Sequence, residues 1–233
     1  MKLRRGGAEI HYEVFGKGPA IVFAHRGFPP SSAVPGKAAP DFYADDLSAL
    51  IRELDLESVA LVAQSMGGWT CLDYALREPN KVRALVMAST SGVLDFSQLK
   101  NAEVDEWSRQ SPGKLKDLQS RGIHPAGGER MAQEQPALAQ LYRQISELAS
   151  PAFREDVRVR IREMRSQPPK LLGQLPMPVL FVTGDEDWVF PPAAGPALAK
   201  LAPKGSALRV PAAGHSVYFE RAAKFNEIIG RVL

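Results

Sequence analysis

The sequence predicts an α/β fold in which a mostly parallel sheet is flanked by helices. The first observation is a set of short apolar runs, each typical of a buried strand, at residues 20–24, 58–63, 82–88, 178–183 and 207–211. The second observation is that helical patterns lie between or after these runs. Strands that alternate with helices favour parallel neighbours in one sheet. A further strand is predicted at residues 10–15.

The helices are predicted from apolar spacing and from chain breakers. Leu47, Leu50, Ile51 and Leu54 share one face of a helix that begins near residue 42. A second helix begins near Gly67 and ends before Pro79. Two more helical patterns cover residues 193–202 and 219–232. Residues 27–40, which are rich in Pro, Ser, Gly and Ala, are predicted to form a loop.

One long stretch departs from the alternation. Residues 93–172 contain no clear strand run, and their helix-forming segments are broken by prolines such as Pro112, Pro125 and Pro136. The sequence therefore predicts a helical insertion at 93–172. It lies between two parts of one α/β core, residues 1–92 and 173–233.

Composition limits the classes of function. The chain has 233 residues, of which 45% are hydrophobic and 24% are charged, which is typical of a globular domain. Its net charge of +3 is spread among alternating acids and bases, so neither nucleic acid nor a membrane is an expected partner. The basic N-terminus runs into no apolar signal segment, and Cys71 is the single cysteine. A cytoplasmic location is therefore expected.

The strongest local signal is the junction of a strand and a helix at Ser65. An apolar strand runs into Gln64-Ser65-Met66-Gly67-Gly68, and a helix follows at once, as in a nucleophile elbow. The sharp turn needs small residues on both sides, which Ala63 and Gly67 supply. The Met66 N–H is then placed to bind a developing oxyanion. The alternative is that Ser65 only caps the helix.

An acidic loop follows the strand at 178–183. It reads Gly184-Asp185-Glu186-Asp187, and it lies where the strand ends form the active edge of an open parallel sheet. One of these carboxylates is expected to orient a histidine, and Asp187 is the chosen candidate over Asp185 and Glu186. Asp95, which follows an earlier strand, is a second candidate for the catalytic acid.

Of the four histidines, His215 is the predicted general base. It lies in a loop after the last strand and before the last helix, from which it can reach over the active edge. The alternative is a turn histidine without a function. His11 is expected to be structural, His25 ends a buried strand, and His124 lies in the insertion. The resulting chain order, Ser, Asp and then His, is the order found in α/β hydrolases.

With these motifs assembled, the sequence resembles the α/β-hydrolase superfamily, particularly its small capped esterases and enol-lactonases. The resemblance runs from residue 10 to the C-terminus. It covers the elbow, the acid loop and Gly214-His215-Ser216, and residues 11–19 resemble the family's opening hairpin. The resemblance implies that residues 93–172 form a helical cap. It also implies a small ester or lactone as substrate and no metal or organic cofactor.

The sequence departs from the family pattern near His25. In the family, a helix and a strand of roughly 25 residues, the length of one crossover unit, follow the strand that ends in His-Gly. Here that strand joins directly to Arg26-Gly27-Phe28. The family's second oxyanion donor comes from this region, so Arg26, Gly27 and Phe28 are candidates, with Phe28 preferred. We expect either a sheet contracted by one strand or a homodimer that covers the apolar surface thus exposed.

The predicted reaction is acyl transfer to water through an acyl-enzyme on Ser65. A perhydrolase or a carbon–carbon hydrolase would use the same three residues, and a non-catalytic binding protein could keep the fold alone. Haloalkane dehalogenases and epoxide hydrolases need a carboxylate where Ser65 stands, so those reactions are set aside. Trp188, next to Asp187, is a candidate for the wall of the substrate pocket.

Overall fold

A five-stranded parallel sheet forms the centre of the fold. The computed structural model describes residues 1–24, 31, 42–148, 159, 163 and 166–232. Within them the sheet has the order β3-β4-β5-β6-β7, and every neighbouring pair is parallel. The strands are β3 (Ile21–Ala24), β4 (Val59–Gln64), β5 (Val82–Ala88), β6 (Val179–Gly184) and β7 (Gly205–Val210). The predicted mostly parallel α/β sheet is confirmed.

The N-terminus forms a separate antiparallel hairpin, which the sequence interpretation missed. Strands β1 (Lys2–Arg5) and β2 (Ala8–His11) pair with each other. Gly6 and Gly7 both have positive φ and form the two-residue turn that such a hairpin favours. The strand predicted at 10–15 was therefore misplaced, since it ends at His11. The hairpin assigned to residues 11–19 by resemblance lies instead at 2–11.

The central strands β4, β5 and β6 are buried on both faces, which explains their continuous apolar runs. Side chains alternate between two cores. Leu61, Leu85 and Phe181 lie in the first core, whereas Val62 and Val182 lie in the second. Because successive side chains of a strand point to opposite faces, a single register supplies apolar residues of the central strands to both cores.

Helices cover both cores. The first core is packed against α1 (Phe42–Glu53), α2 (Gly67–Arg77) and α6 (Ala194–Ala199). The second core is packed against α7 (Val217–Glu220) and α8 (Ala222–Gly230). The single helix predicted at 219–232 is thus two helices, because the backbone of Arg221 leaves the helical region between them, with φ −131° and ψ 50°.

Helices with described bounds lie between β5 and β6. They are α3 (Ala102–Ser120), α4 (Gly128–Glu134) and α5 (Pro136–Glu147). Short 3-10 turns lie at Pro79–Lys81, Phe96–Gln98 and Pro169–Gln174. The division of the chain into a core and a cap at 93–172 stays a prediction. No helix within the described ranges is both long and apolar enough to span a membrane.

The strand β3 lies at the edge of the sheet. Among the described residues only β4 pairs with it, and the side chains of Ile21 and Phe23 are 42% and 63% exposed. An exposed apolar edge is the consequence expected from the shortened sequence after His25. The loop predicted at 27–40 lies outside the described residues, except for Ser31. A homodimer stays a prediction.

Candidate active site

Ser65 lies in the sharp turn between β4 and α2. Its backbone has φ +48°, a left-handed conformation that residues other than glycine seldom adopt. The Ser65 N–H donates a hydrogen bond to the Ala88 carbonyl oxygen of the neighbouring strand, at 2.9 Å. A strained backbone held by such a contact is typical of functional positions, and the turn matches the elbow predicted from the sequence.

Close packing explains the small residues around Ser65. A β-carbon on Gly68 would lie 2.3 Å from Thr90 Oγ1, so α2 could not begin where it does with a larger residue. Ala63, which stands where the family has glycine, is fully buried and its methyl group packs in the first core. The turn therefore accepts this additional methyl group.

His215 connects Ser65 to Asp187. Its Nε2 lies 2.8 Å from Ser65 Oγ, and its Nδ1 lies 2.9 Å and 3.2 Å from the two carboxylate oxygens of Asp187. A carboxylate can only accept, so Nδ1 carries the proton and Nε2 is left to accept the Ser65 hydroxyl proton. The side chains of His215 and Asp187 are almost fully buried. The three predicted residues, far apart in sequence, thus meet at one edge of the sheet.

The Asp187 carboxylate is oriented by the backbone of its own loop. Its Oδ1 accepts hydrogen bonds from the N–H groups of Val189 at 2.7 Å and Phe190 at 2.9 Å. Gly184 brings this loop against the histidine loop, because a β-carbon there would lie 2.1 Å from the Gly214 carbonyl oxygen. The close crossing of the two loops sets the separation of acid and base.

The other candidate acids have different partners. Asp185 pairs with Arg209 Nε at 2.6 Å, and Glu186 pairs with Arg130. Asp95 accepts the Ser97 N–H and caps a 3-10 turn. Exposed ion pairs and caps of this kind explain these carboxylates without catalysis, so the choice of Asp187 agrees with the geometry.

Two of the remaining histidines, His11 and His124, lie away from this contact. His11 is in β2, with its Nε2 3.3 Å from Glu13 Oε1. His124 accepts the Ala126 N–H and packs edge-on against Tyr142, with ring centroids 5.3 Å apart. His25 lies outside the described residues. Of the histidines that the structure describes, His215 is the one in contact with Ser65.

Two buried side chains that the sequence interpretation did not single out hold the His215 backbone. Gln64 Nε2 donates to the His215 carbonyl oxygen at 3.0 Å. Glu220 accepts the Gly214 N–H at 2.9 Å and the Ser216 N–H at 3.2 Å. Burial raises the pKa of Glu220, although the two N–H groups oppose this effect. The sequence signal that could have identified these two residues is their position, since Gln64 directly precedes Ser65 and Glu220 follows His215 by five residues.

The predicted oxyanion donors are the backbone N–H groups of Met66 and Phe28. Met66 stands at the N-terminus of α2, and its N–H has no acceptor among the described residues. It is therefore available to an oxyanion in front of Ser65. Phe28, like Arg26 and Gly27, lies outside the described residues.

The helices α3, α4 and α5 each contact the acid loop or the histidine loop. From α3, Trp107 Nε1 donates to the Asp187 carbonyl oxygen at 2.8 Å. From α4, Arg130 pairs with Glu186. From α5, Tyr142 Oη accepts the Ser216 hydroxyl at 2.8 Å. These helices thus support the loops that carry the acid and the base.

A cavity of about 440 Å³ adjoins the two loops. Trp188 lines it, as do Lys114, Gly128, Arg130, Gly214 and Glu220. Neither Ser65 nor His215 is among the described residues that line it, so the cavity adjoins the acid and histidine loops without including the nucleophile or the base. Among all the described residues, no group of three or more His, Cys, Asp and Glu side chains is arranged to hold a metal ion.

The fold and the contact of Ser65, His215 and Asp187 define the class of α/β hydrolases. The chain belongs to the alpha/beta hydrolase family, whose model matches residues 5–228. The expected superfamily and the expectation of a hydrolase-type enzyme are confirmed.

Known proteins similar to this chain include enzymes of several kinds. It is 30% identical over 148 residues to a non-heme chloroperoxidase, CPO-A1, of Kitasatospora aureofaciens, and the match covers 45% of this chain and 54% of that relative. The structure of Est816, described as an N-acyl homoserine lactone degrading enzyme, matches with TM-score 0.76 and 19% identity over 100% of both chains. An esterase of Thermogutta terrifontis matches with TM-score 0.75 and 23% identity over 96% of this chain and 92% of its own.

Proposed function

We propose that this protein is a serine hydrolase that cleaves a small ester or lactone through an acyl-enzyme on Ser65. The observation that carries the proposal is the position of His215, whose Nε2 lies 2.8 Å from Ser65 Oγ while Nδ1 lies 2.9 Å from Asp187. An imidazole that touches a hydroxyl on one side and a buried carboxylate on the other can activate the hydroxyl as a nucleophile.

In the first step, Ser65 Oγ attacks the substrate carbonyl carbon and His215 Nε2 takes the hydroxyl proton. Asp187 keeps the imidazole in the required tautomer and stabilises its positive charge. The Met66 N–H binds the resulting oxyanion, and a second donor near Phe28 is part of the same proposal. His215 then gives its proton to the departing alkoxide oxygen, which leaves the acyl group on Ser65.

In the second step, His215 takes a proton from water, and the hydroxide attacks the acyl carbonyl. The Ser65 oxygen leaves and regains its proton from His215, so the enzyme returns unchanged with a carboxylic acid as product. For a lactone the alcohol and the acid remain in one molecule. Each proton transfer passes through His215 Nε2.

The substrate class rests on similarity to known proteins. Both structures named above are described by ester or lactone cleavage. Trp188, and the helices α3–α5 acting as a cap, would provide the apolar wall of the site. The low cysteine content, with Cys71 free and buried, supports a cytoplasmic location.

The test is hydrolysis of a panel of p-nitrophenyl esters of increasing acyl length and of simple lactones. The wild type should cleave at least one of them. The Ser65→Ala variant should lose on the order of 10⁶-fold in kcat, as expected when the nucleophile of such a triad is removed. Ser120→Ala is the matched control, since Ser120 is an exposed serine at the end of α3. A wild type without any activity would favour a non-catalytic binding role.

A second candidate, perhydrolysis, is favoured by the similarity to a chloroperoxidase. The same acyl-enzyme would be attacked by hydrogen peroxide in place of water, which releases a peracid and free Ser65. Peracid formation from acetate ester and peroxide, followed by halide oxidation in a coupled assay, would detect it. The reaction should disappear in Ser65→Ala, since both pathways share the acyl-enzyme.

A further inference from the structure

Three backbone groups around His215 are held by buried side chains. The Gly214 N–H and the Ser216 N–H both donate to the carboxylate of Glu220, and the His215 carbonyl oxygen accepts from Gln64. The two amides bracket the catalytic histidine, so one carboxylate holds the peptide groups on both of its sides. Residues 211–216 form no regular helix or strand, so this loop depends on side-chain contacts for its shape.

The buried Glu220 carboxylate packs closely against the loop that it holds. Glu220 is 4% exposed, and each of its oxygens accepts one of the two N–H groups. A β-carbon on Gly214 would lie 3.1 Å from Glu220 Oε1, so a side chain at 214 would push the carboxylate away. Burying a carboxylate is costly unless it is well bonded, and the two charge-assisted hydrogen bonds offset that cost.

We propose that Glu220 is a positioning residue for His215, which fixes the loop so that Nε2 reaches Ser65 and Nδ1 reaches Asp187. This inference rests on the proposed function of the same site. The Glu220 carboxylate accepts its hydrogen bonds from the backbone on either side of His215, so it acts through the loop backbone. A displacement of about 1 Å at a reacting group can lower a rate on the order of 10²-fold.

Two variants separate positioning from folding. Glu220→Gln keeps the shape of the side chain but offers one acceptor oxygen, so only one of the two N–H groups stays bonded. Glu220→Ala removes both acceptors. Glu227→Gln is the matched control, because Glu227 is an exposed carboxylate on α8 that pairs with Lys224 and Arg231. Thermal unfolding of each variant shows whether the fold survives.

The kinetic readout is kcat and KM for the best ester in the panel. We expect Glu220→Gln to lower kcat by about 10-fold and Glu220→Ala by about 10²-fold, with little change in KM, because the loss is in the geometry of proton transfer. In a His215→Ala background, Glu220→Gln should not lower the residual rate further, because its effect passes through the histidine. Glu227→Gln should match the wild type.

A spectroscopic readout does not depend on turnover. The proton shared by His215 Nδ1 and Asp187 should give a downfield ¹H NMR signal in the wild type, and this signal should shift or broaden in Glu220→Gln but not in Glu227→Gln. A folded Glu220→Gln with unchanged kcat and an unchanged signal would overturn the inference while leaving the serine mechanism intact. An inactive wild type that no serine probe labels would instead overturn the proposed function.

Discussion

Gly67 lies so close to Ala24 that a β-carbon on the glycine would be 2.0 Å from the Ala24 carbonyl oxygen. This contact joins the start of α2, directly after the nucleophile turn, to the last residue of the edge strand β3. The obstacle is backbone, so no change of rotamer could relieve it. Gly67 is therefore required by the packing of a neighbouring strand as well as by the turn.

Gly67→Ala should thus destabilise the protein and impair the site. Overpacking of this kind costs about 1–3 kcal/mol, which corresponds to a fall in Tm of roughly 2–4 °C for each kcal/mol in a chain of this size. The control is Gly113→Ala in α3, where a β-carbon would meet nothing within 4 Å. That variant should gain roughly 0.5–1 kcal/mol from helix propensity. Equal melting temperatures for both variants would contradict the contact.

Asp187→Asn tests whether Asp187 is the carboxylate of the acidic loop that supports catalysis. An amide can still accept from the N–H groups of Val189 and Phe190, but it neither enforces the tautomer of His215 nor balances an imidazolium charge. We expect kcat to fall by roughly 10⁴-fold, as for this change in other Ser-His-Asp sites, while the fold is kept. The measurement is steady-state kinetics together with thermal unfolding.

Asp185→Asn is the matched control for that experiment. It alters a carboxylate two residues away that pairs with Arg209 at the surface. Exposed ion pairs contribute about 0–1 kcal/mol to stability, so activity and melting should stay near the wild type. A larger loss of kcat in Asp185→Asn than in Asp187→Asn would show that Asp187 is not the catalytic acid.

The thiol of Cys71 should be unreactive in the folded protein. Its side chain is fully buried in α2, and burial raises its pKa to about 12. Only the thiolate reacts with disulfide reagents, so at pH 8 the native chain should not react with Ellman's reagent. In guanidinium chloride one thiol per chain should react, since the sequence has one cysteine. Rapid modification of the native protein would show that α2 opens easily.

Much of the fold follows from local pattern. The runs around Leu61 and Phe181 predicted buried strands because parallel strands are covered on both faces. The turn at Ser65 was predictable because its small residues adjoin an apolar strand and a helix. The place of the loop in the sheet predicted that one of Asp185, Glu186 and Asp187 supports the histidine, and the contacts of Arg209 and Arg130 explain the two carboxylates that were set aside.

Other features depend on contacts that no local pattern carries. The N-terminal hairpin was missed because Lys2 to Arg5 looks like a basic tail, although the turn at Gly6 and Gly7 was a signal for it. The role of Glu220 depends on backbone N–H groups in a preceding loop. The hydrogen bond from Trp107 to Asp187 spans 80 residues. Such contacts become visible only once the loops have been placed.

The most direct test of the account is the site at which a fluorophosphonate probe reacts. Peptide mass spectrometry of the labelled protein should place the adduct on Ser65, and labelling should be slowed in His215→Ala and abolished in Ser65→Ala. An adduct on another serine, or labelling of Ser65→Ala at the wild-type rate, would contradict the central claim that His215 and Asp187 activate the hydroxyl of Ser65.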